Sequence, residues 1–135
     1  MMIKNKIFVF LLILNSFGCS SQEIKRIDIL FVDPEIETPF RIQCSKFDEF
    51  FKNDIDSISI KDDLLIKQFT NELDRLEKAD STKYSLPDTR MKIKIVYQNN
   101  LQELCIDRFV VSKNDDLFIY SEPLKLLINK AIHFK

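Results

Sequence analysis

The stretch MKIKIVYQNNLQELCIDRFVVSKNDDLFIY, residues 91–120, decides the fold class that the sequence predicts. From Met91 to Tyr97 apolar residues alternate with Lys92 and Lys94. A period of two residues is typical of a strand with one buried and one solvated face. The Asn99-Asn100 pair that follows is typical of a turn that tolerates positive φ. We therefore expect a strand that leads through a tight turn into a second strand.

The remainder of this stretch supplies that second strand and a third. Residues 101–111 predict one strand, bent near Asp107-Arg108, and the polar sequence SKNDD then turns the chain into a strand over Leu117 to Tyr120. Strands joined by short polar turns usually pair antiparallel with their neighbours in sequence. The stretch as a whole therefore predicts an antiparallel meander.

Three segments upstream also alternate. Ile24 to Val32 places isoleucines on one face and Asp28 on the other, which predicts a half-buried strand that Asp33-Pro34 ends. Phe40 to Cys44 alternates in the same way and predicts a second strand, with the first strand as a candidate partner across the DPEIETP connection. Ile58 and Ile60 predict a third. Together with the meander, the sequence predicts about six strands.

Two long segments have helical periodicity. Asp62 and Asp63 suit the capped start of an amphipathic helix over Asp62 to Lys78, and Ser121 with Pro123 opens a last helix. A shorter helix, capped by Ser45, is predicted over SKFDEFFKN, where three phenylalanines at helical spacing indicate a core face. The predicted fold class is therefore α+β: about six mostly antiparallel strands with two main amphipathic helices packed on one face.

The composition limits the classes of function. The chain has 135 residues, 45% of them hydrophobic and 30% charged, with a net charge of −1. That composition predicts one folded domain rather than a disordered chain. Basic residues are interspersed with acidic ones, so we expect no nucleic-acid partner. Gly18 is the only glycine, which excludes the P-loop, the dinucleotide fingerprint and the G-x-S-x-G nucleophile elbow.

The first 18 residues have the pattern of an export signal. Lys4 and Lys6 precede an apolar core over Ile7 to Leu14, and Ser16-Phe17-Gly18 follow. The apolar stretch from Ile7 to Gly18 covers 12 residues, whereas a spanning helix needs about 20. The segment therefore predicts a cleaved signal rather than a permanent transmembrane anchor.

The residues around Cys19, NSFGCSSQ, indicate which cleavage takes place. Small residues at Ser16 and Gly18 suit an ordinary secretory cut before Cys19. A small residue directly before a cysteine, after a short apolar core, also resembles the lipobox of bacterial lipoproteins. Ser16 stands where the lipobox usually has leucine, and such relaxed boxes are similar to those of Bacteroidota lipoproteins. The resemblance covers only about the first 22 residues of the chain.

This resemblance implies that Cys19 is acylated and becomes the first residue of the mature protein. Two or more acyl chains hold a protein stably at a bilayer, whereas one does so only marginally. Residues 1–18 are then the signal peptide, residues 19–23 a short tether and residues 24–135 the α+β domain. Ser20 resembles the residue after the cysteine in lipoproteins sent to the outer membrane, and the leaflet stays open.

Cys44 and Cys105 are the two thiols that remain once Cys19 is assigned to the anchor. An exported chain lives where disulfides form, so these two cysteines are a candidate pair. Cysteine is also commonly buried as a small apolar side chain. The sequence leaves the bonded and the unbonded states open, because it does not show whether the two Cα atoms lie within reach.

Catalytic and metal-binding patterns are missing from the sequence. His133 is the only histidine, and a zinc site needs clustered ligands. The acidic pairs, such as Asp115-Asp116, are not followed by the glycine and distal glutamate of an EF-hand loop. No serine or cysteine has a recognisable base beside it. We therefore expect no metal, no cofactor and no enzymatic activity.

The longest predicted loop, Ala79 to Arg90, is the best candidate for a binding surface. It offers Tyr84, Pro87 and the charged pair Asp88 and Arg90, and loops of this length are often functional. The expected role is non-enzymatic binding of a protein or envelope component. The alternatives are an immunity-like or inhibitor protein directed against a toxin or hydrolase, and a small hydrolase, which needs converging titratable groups in a pocket.

Overall fold

The computed structural model describes residues 22–134. Cys19 and the predicted signal peptide therefore lie outside the described residues. A 3₁₀ turn covers Cys44–Lys46. The strands and helices are β1 Ile24–Phe31, α1 Phe47–Phe50, β2 Asp56–Ile60, α2 Asp63–Asp74, β3 Met91–Tyr97, β4 Leu101–Ile106, β5 Val110–Lys113, β6 Asp116–Ile119 and α3 Glu122–His133.

The six strands form one sheet in the order β2-β1-β3-β4-β5-β6, and every neighbouring pair is antiparallel. Because side chains alternate across a strand, each strand sends its apolar set to the same face. Buried side chains from the sheet pack there against Phe69 of α2 and Ile128 of α3; they include Ile27, Ile29, Ile60, Ile93, Ile95, Leu104, Ile106 and Val111. The predicted α+β class, with two main helices on one face, is confirmed.

The two main helices begin at the caps that the sequence predicts. Asp62 accepts a hydrogen bond from Leu65 N at 2.9 Å, and Ser121 accepts one from Leu124 N at 3.3 Å. The helix α2 begins directly after β2, at one edge of the sheet. The helix α3 begins after β6, at the other edge, and runs back to contact β2. The two helices therefore cross the same face in opposite directions.

The register defines two ends of the sheet. The proximal end is where β1 begins, because Ile24 pairs with Tyr97 at the turn before β4, and the 114–115 turn lies on the same side. The distal end is where Phe31 pairs with Asp56 and Met91, and where the turn at 107–109 joins β4 to β5. The chain therefore enters the domain at the proximal end.

The predicted strand over Phe40 to Cys44 is wrong. Both sides of β1 are already paired, with β2 on one side and β3 on the other, so the expected partner has no free edge. The segment is instead held by isolated hydrogen bonds. Ile42 N donates to Asp88 Oδ1 at 2.8 Å, and Ile42 O accepts from Thr89 N at 2.8 Å.

The single bent strand predicted over residues 101–111 is also wrong, because the chain reverses there. Asp107 Oδ1 accepts from Phe109 N at 2.7 Å and from Val110 N at 2.8 Å, and this turn separates β4 from β5. The positive φ expected at Asn99-Asn100 occurs instead in the β5–β6 turn, at Asn114 and Asp115. The two errors offset each other, so the predicted number of strands is right.

The helix α2 ends at Asp74 rather than at Lys78. Residues 77–79 leave the helix to bond the outer edge of β6. Ile119 N donates to Glu77 O at 2.8 Å, and Ala79 N donates to Leu117 O at 2.9 Å. These bonds satisfy backbone groups that an open sheet edge would leave unpaired. The short helix is also capped differently, because α1 begins after Lys46 and Ser45 makes no capping hydrogen bond.

The second face of the sheet, which the sequence predicts to be solvated, is covered in part. The buried side chains Val32, Ile42, Phe47 and Phe51 form a small second core there. Lys92 lies beneath this layer and is only 2% exposed. Its ammonium contacts Asp48 Oδ2 at 2.5 Å and lies 3.8 Å from Glu103 Oε2. The expectation of a fully wet face is therefore wrong, because residues 33–55 fold back over it.

A candidate binding cleft at the distal end

The predicted binding loop, residues 79–90, runs from the edge of β6 to the start of β3. Its first turn is made by Asp80, which accepts hydrogen bonds from the backbone N and the hydroxyl of Thr82. These two bonds lower the pKa of Asp80, the backbone bond having the larger effect. Pro87 is buried and Tyr84 is half-buried. The end of the loop is therefore packed against the domain.

Asp88 joins this loop to two other parts of the chain. Its Oδ1 accepts from Ile42 N at 2.8 Å, and its Oδ2 accepts from Arg90 Nη2 at 3.1 Å. Its own backbone N donates to Asp107 Oδ2 at 3.3 Å. The loop, the second core and the β4–β5 turn therefore meet at one aspartate.

The Arg90 guanidinium has several contacts, but one of its nitrogen atoms, Nη1, has no hydrogen-bond partner among the described residues. The guanidinium donates from Nη2 to Thr38 Oγ1 at 3.0 Å and lies 5.4 Å from the ring centroid of Phe51. Within the described residues, Arg90 Nη1 and Thr89 Oγ1 are buried without a hydrogen-bond partner. A buried donor without an acceptor costs about 1–3 kcal/mol. An acceptor that reached Arg90 Nη1 would recover that energy.

A cleft of about 510 Å³ opens between the distal end of the sheet and α3. Its apolar lining comes from β1, β3, β4, α3 and the β4–β5 turn, and includes Phe31, Met91, Ile106, Phe109 and Ile132. The lining also contains two aspartates and two arginines: Asp88, Asp107, Arg90 and Arg108. The cleft therefore combines an apolar interior with polar groups of both signs, which is the usual character of a binding site.

Phe109 is the most prominent side chain of this cleft. It lies at the tip of the β4–β5 turn and is 60% exposed. The Arg108 guanidinium lies 5.9 Å from its ring centroid. Phe109 O accepts from Tyr120 N at 2.9 Å, which holds the turn beside the start of α3. The backbone fixes an exposed aromatic ring next to a cation.

Tyr120 contributes a hydroxyl-bearing ring to the cleft lining. Burial, and to a smaller extent the charge of Glu122, raises the pKa of Tyr120 to about 12. At neutral pH the phenol keeps its proton, as it would at the ordinary pKa of tyrosine, and can donate a hydrogen bond. Its ring lies 5.1 Å from the Lys125 ammonium.

The carboxylates of the cleft are engaged in holding the backbone. Both oxygens of Asp88 accept hydrogen bonds, from Ile42 N and Arg90. Both oxygens of Asp107 also accept them, from the amides of Phe109 and Val110 on one side and of Asp88 on the other. These groups position the rim of the cleft. Residues 22–134 contain no group of three or more His, Cys, Asp or Glu side chains arranged to hold a metal ion.

Cys44 and Cys105 are bonded to each other in the structure, with their Cα atoms 5.6 Å apart and a sequence separation of 61. Cys105 belongs to β4, and Cys44 belongs to the 3₁₀ turn that leads into α1. The bond therefore ties the second core to the sheet. Cys44 is two residues from Ile42, whose backbone N donates to Asp88 Oδ1, so the bond also restrains the segment that contacts Asp88.

The structure brings together only part of the predicted binding loop. Asp88 and Arg90 line the cleft, Pro87 is buried beside them, and Tyr84 is not part of the lining. Sequence reasoning missed two residues of the lining, Tyr120 and Phe109, the latter of which is 60% exposed. The signal for Phe109 was the Asp107-Arg108 bend, which the sequence predicted without assigning it a function.

Two further findings bear on identity. Within residues 22–134, none of the helices combines the length and apolar character needed to cross a bilayer. Comparisons with protein-family models, with curated proteins and with solved structures find no match to this chain. The residues and the geometry of this molecule are therefore the basis for its function.

Proposed function

We propose that this protein is a lipid-anchored, non-enzymatic component of the bacterial envelope that binds a protein or envelope component through the distal cleft. One observation carries the proposal: the chain enters the domain at the proximal end of the sheet, and the cleft lies at the distal end. An anchor at the start of the chain would therefore leave the cleft facing away from the membrane.

The length of the tether supports this placement. Four residues, Ser20 to Glu23, lie between Cys19 and Ile24, which makes five Cα–Cα steps, and an extended chain spans at most about 3.3–3.6 Å per step. The tether therefore reaches about 17 Å. Acylation of Cys19 would hold the proximal end close to the bilayer. Ser20, which follows the cysteine, favours the outer membrane as the location.

The surface at the distal end is suited to a protein partner. Exposed aromatic residues and arginine are enriched at interfaces and often contribute most of the binding energy. Phe109 and Arg108 supply this pair at the cleft, where the Arg108 guanidinium lies 5.9 Å from the Phe109 ring centroid. Since both cleft aspartates are engaged by backbone amides, the arrangement favours binding over acid–base catalysis.

The anchor is tested by the Cys19→Ser variant. We expect the wild-type chain in the membrane fraction, labelled by a fatty-acid analogue, because stable attachment requires two or more acyl chains. The variant should lose the label and move to the soluble fraction. If wild type and variant fractionate alike, the anchor is not at Cys19.

The cleft is tested by crosslinking and capture from intact cells with the Phe109→Ala variant. Truncation of an exposed anchor residue typically costs about 2 kcal/mol of binding free energy, so we expect recovery of the partner to fall by at least tenfold. Leu126→Ala is the matched control, because Leu126 is equally exposed but does not line the cleft.

The capture experiment also separates the two binding roles. One tight, stoichiometric partner recovered through Phe109 indicates an inhibitor or immunity-like protein. Recovery of abundant envelope proteins through Phe109 indicates a scaffold. Equal recovery by wild type and Phe109→Ala would contradict the proposed cleft.

A further inference from the structure

The end of β2 and the start of α2 lie at the proximal end of the sheet. Strands β1 and β2 are antiparallel, and Ile60, the last residue of β2, pairs with Ile27, three residues after Ile24. The helix α2 begins at Asp63, three residues after Ile60. The first turn of α2 is therefore near the residue where the tether joins the domain.

A groove of about 690 Å³ opens at this corner of the domain. It is bounded by β2, by the first turn of α2 and by the end of α3. Leu64 and Phe134 both line it, and they are 67% and 79% exposed. Exposed apolar side chains that share one groove commonly mark an interaction surface.

The charged groups beside the groove do not select a ligand of one sign. Lys61 and Lys130 line it, and so does Asp62, whose carboxylate caps α2 through Leu65 N. Asp63 follows in the first turn of α2. The two lysines are therefore offset by two aspartates, and the position of the groove and its apolar side chains indicate the occupant.

The position of the groove indicates a lipid surface. A strand advances about 3.4 Å per residue and paired strands lie about 5 Å apart, so Ile60 is roughly 11 Å from Ile24. The tether between Cys19 and Ile24 reaches about 17 Å. A bilayer that holds acyl chains on Cys19 is therefore within reach of the groove.

We propose that this groove lies against the phospholipid bilayer, an inference that rests on the lipid anchor of the proposed function. Leu64 and Phe134 enter the interfacial region, where apolar side chains leave water. The stems of Lys61 and Lys130 lie along the same apolar surface, and their ammonium groups stay among the lipid headgroups. The contact fixes the orientation of the domain, which an anchor at Cys19 alone does not.

The test uses the full acylated chain, purified in detergent and reconstituted into phosphatidylcholine vesicles that contain a lipid with a nitroxide on its acyl chain. A fluorophore is attached at Gln68→Cys, because Gln68 is exposed and lines the groove. With Cys19 acylated and Cys44 bonded to Cys105, the introduced thiol is the one that reacts. We expect the nitroxide to quench most of the fluorescence at position 68, and little of it when the fluorophore is at Phe109→Cys.

The variant Leu64→Asp/Phe134→Asp should lose the quenching at position 68 and still sediment with the vesicles, because the anchor is intact and the inserted side chains are gone. Leu126→Asp is the matched control and should keep the quenching, since Leu126 is also 67% exposed but does not line the groove. Quenching that survives the double substitution, or that is equal at positions 68 and 109, would overturn the proposal.

Sedimentation separates this proposal from the anchor on which it rests. A chain that sediments with the vesicles but is not quenched at position 68 keeps its anchor and contradicts the contact. A chain that does not sediment contradicts both. Fluorescence at position 68 that changes with the density of protein in the vesicles, and not with the nitroxide lipid, would overturn the proposal in favour of a second copy in the groove.

Discussion

Replacing both bridge cysteines, in the variant Cys44→Ala/Cys105→Ala, is expected to lower the free energy of unfolding by about 4 kcal/mol. The bond closes a loop with a sequence separation of 61, and the chain-entropy model assigns about that much to a loop of this length. Guanidinium unfolding followed by circular dichroism measures the change as a shift of the midpoint.

In the same variant, local stability should fall more around the second core than in the rest of the domain. Residues 42–51 form the second core with few buried partners, whereas the helix-covered face has a much larger core. Hydrogen exchange should therefore accelerate most in residues 42–51. Cys19→Ser is the matched control and should leave the midpoint unchanged, because Cys19 takes no part in the bond between Cys44 and Cys105. An unchanged midpoint in the double variant would contradict the expectation.

Replacing Asp48 by alanine is expected to destabilise the domain by about 3 kcal/mol. The Lys92 ammonium is almost fully buried and contacts Asp48 Oδ2 at 2.5 Å, and its other carboxylate, on Glu103, is 3.8 Å away. Removing one partner leaves a buried charge with little compensation. Urea unfolding of the variant measures the loss.

Replacing the lysine instead should cost much less. Lys92→Met removes the buried charge and keeps most of the side-chain volume, so we expect a change within about 1 kcal/mol. Asp48 is 47% exposed in its side chain and can be solvated when Lys92 is gone. Glu49→Ala, next to Asp48 on the solvent side, is the control and should have almost no effect. A larger loss for Lys92→Met than for Asp48→Ala would contradict this account.

Local pattern predicted the elements whose conformation depends on near neighbours. The alternation from Ile24 onward predicted β1, and Asp62 and Ser121 predicted the first residues of α2 and α3. A cap acts on an amide three residues along the chain, so the sequence contains both of its partners. For the same reason the fold class could be predicted without any tertiary information.

Pattern was misleading where the partner is distant in sequence. Phe40 to Cys44 alternates as well as β1 does, but a strand also needs a free edge, and β1 has none left. Lys92 and Lys94 alternate with apolar residues in the manner of a wet face, yet residues 33–55 return to bury Lys92. The end of α2 was misplaced because the bonds that stop it come from β6.

For the candidate site, too, the sequence predicted some of the residues, and only the structure placed the others. The loop from Tyr84 to Arg90 was found from its length and residue types, and Asp88 and Arg90 do reach the cleft. Phe109 and Tyr120 join them only because the β4–β5 turn and the start of α3 lie at the same end of the sheet. No local pattern indicates that convergence, since four strands, β3 to β6, lie between Arg90 and Tyr120 in the chain.

The fold class, the caps of the two main helices and the prediction that Cys19 is an anchor all follow from the sequence, because each depends on residues that are close together in the chain. The order of the strands, the burial of Lys92 and the position of the cleft opposite the start of β1 became known only from the folded structure. These features depend on which distant backbone and side-chain groups satisfy one another, and that pairing is settled only when the whole chain has folded.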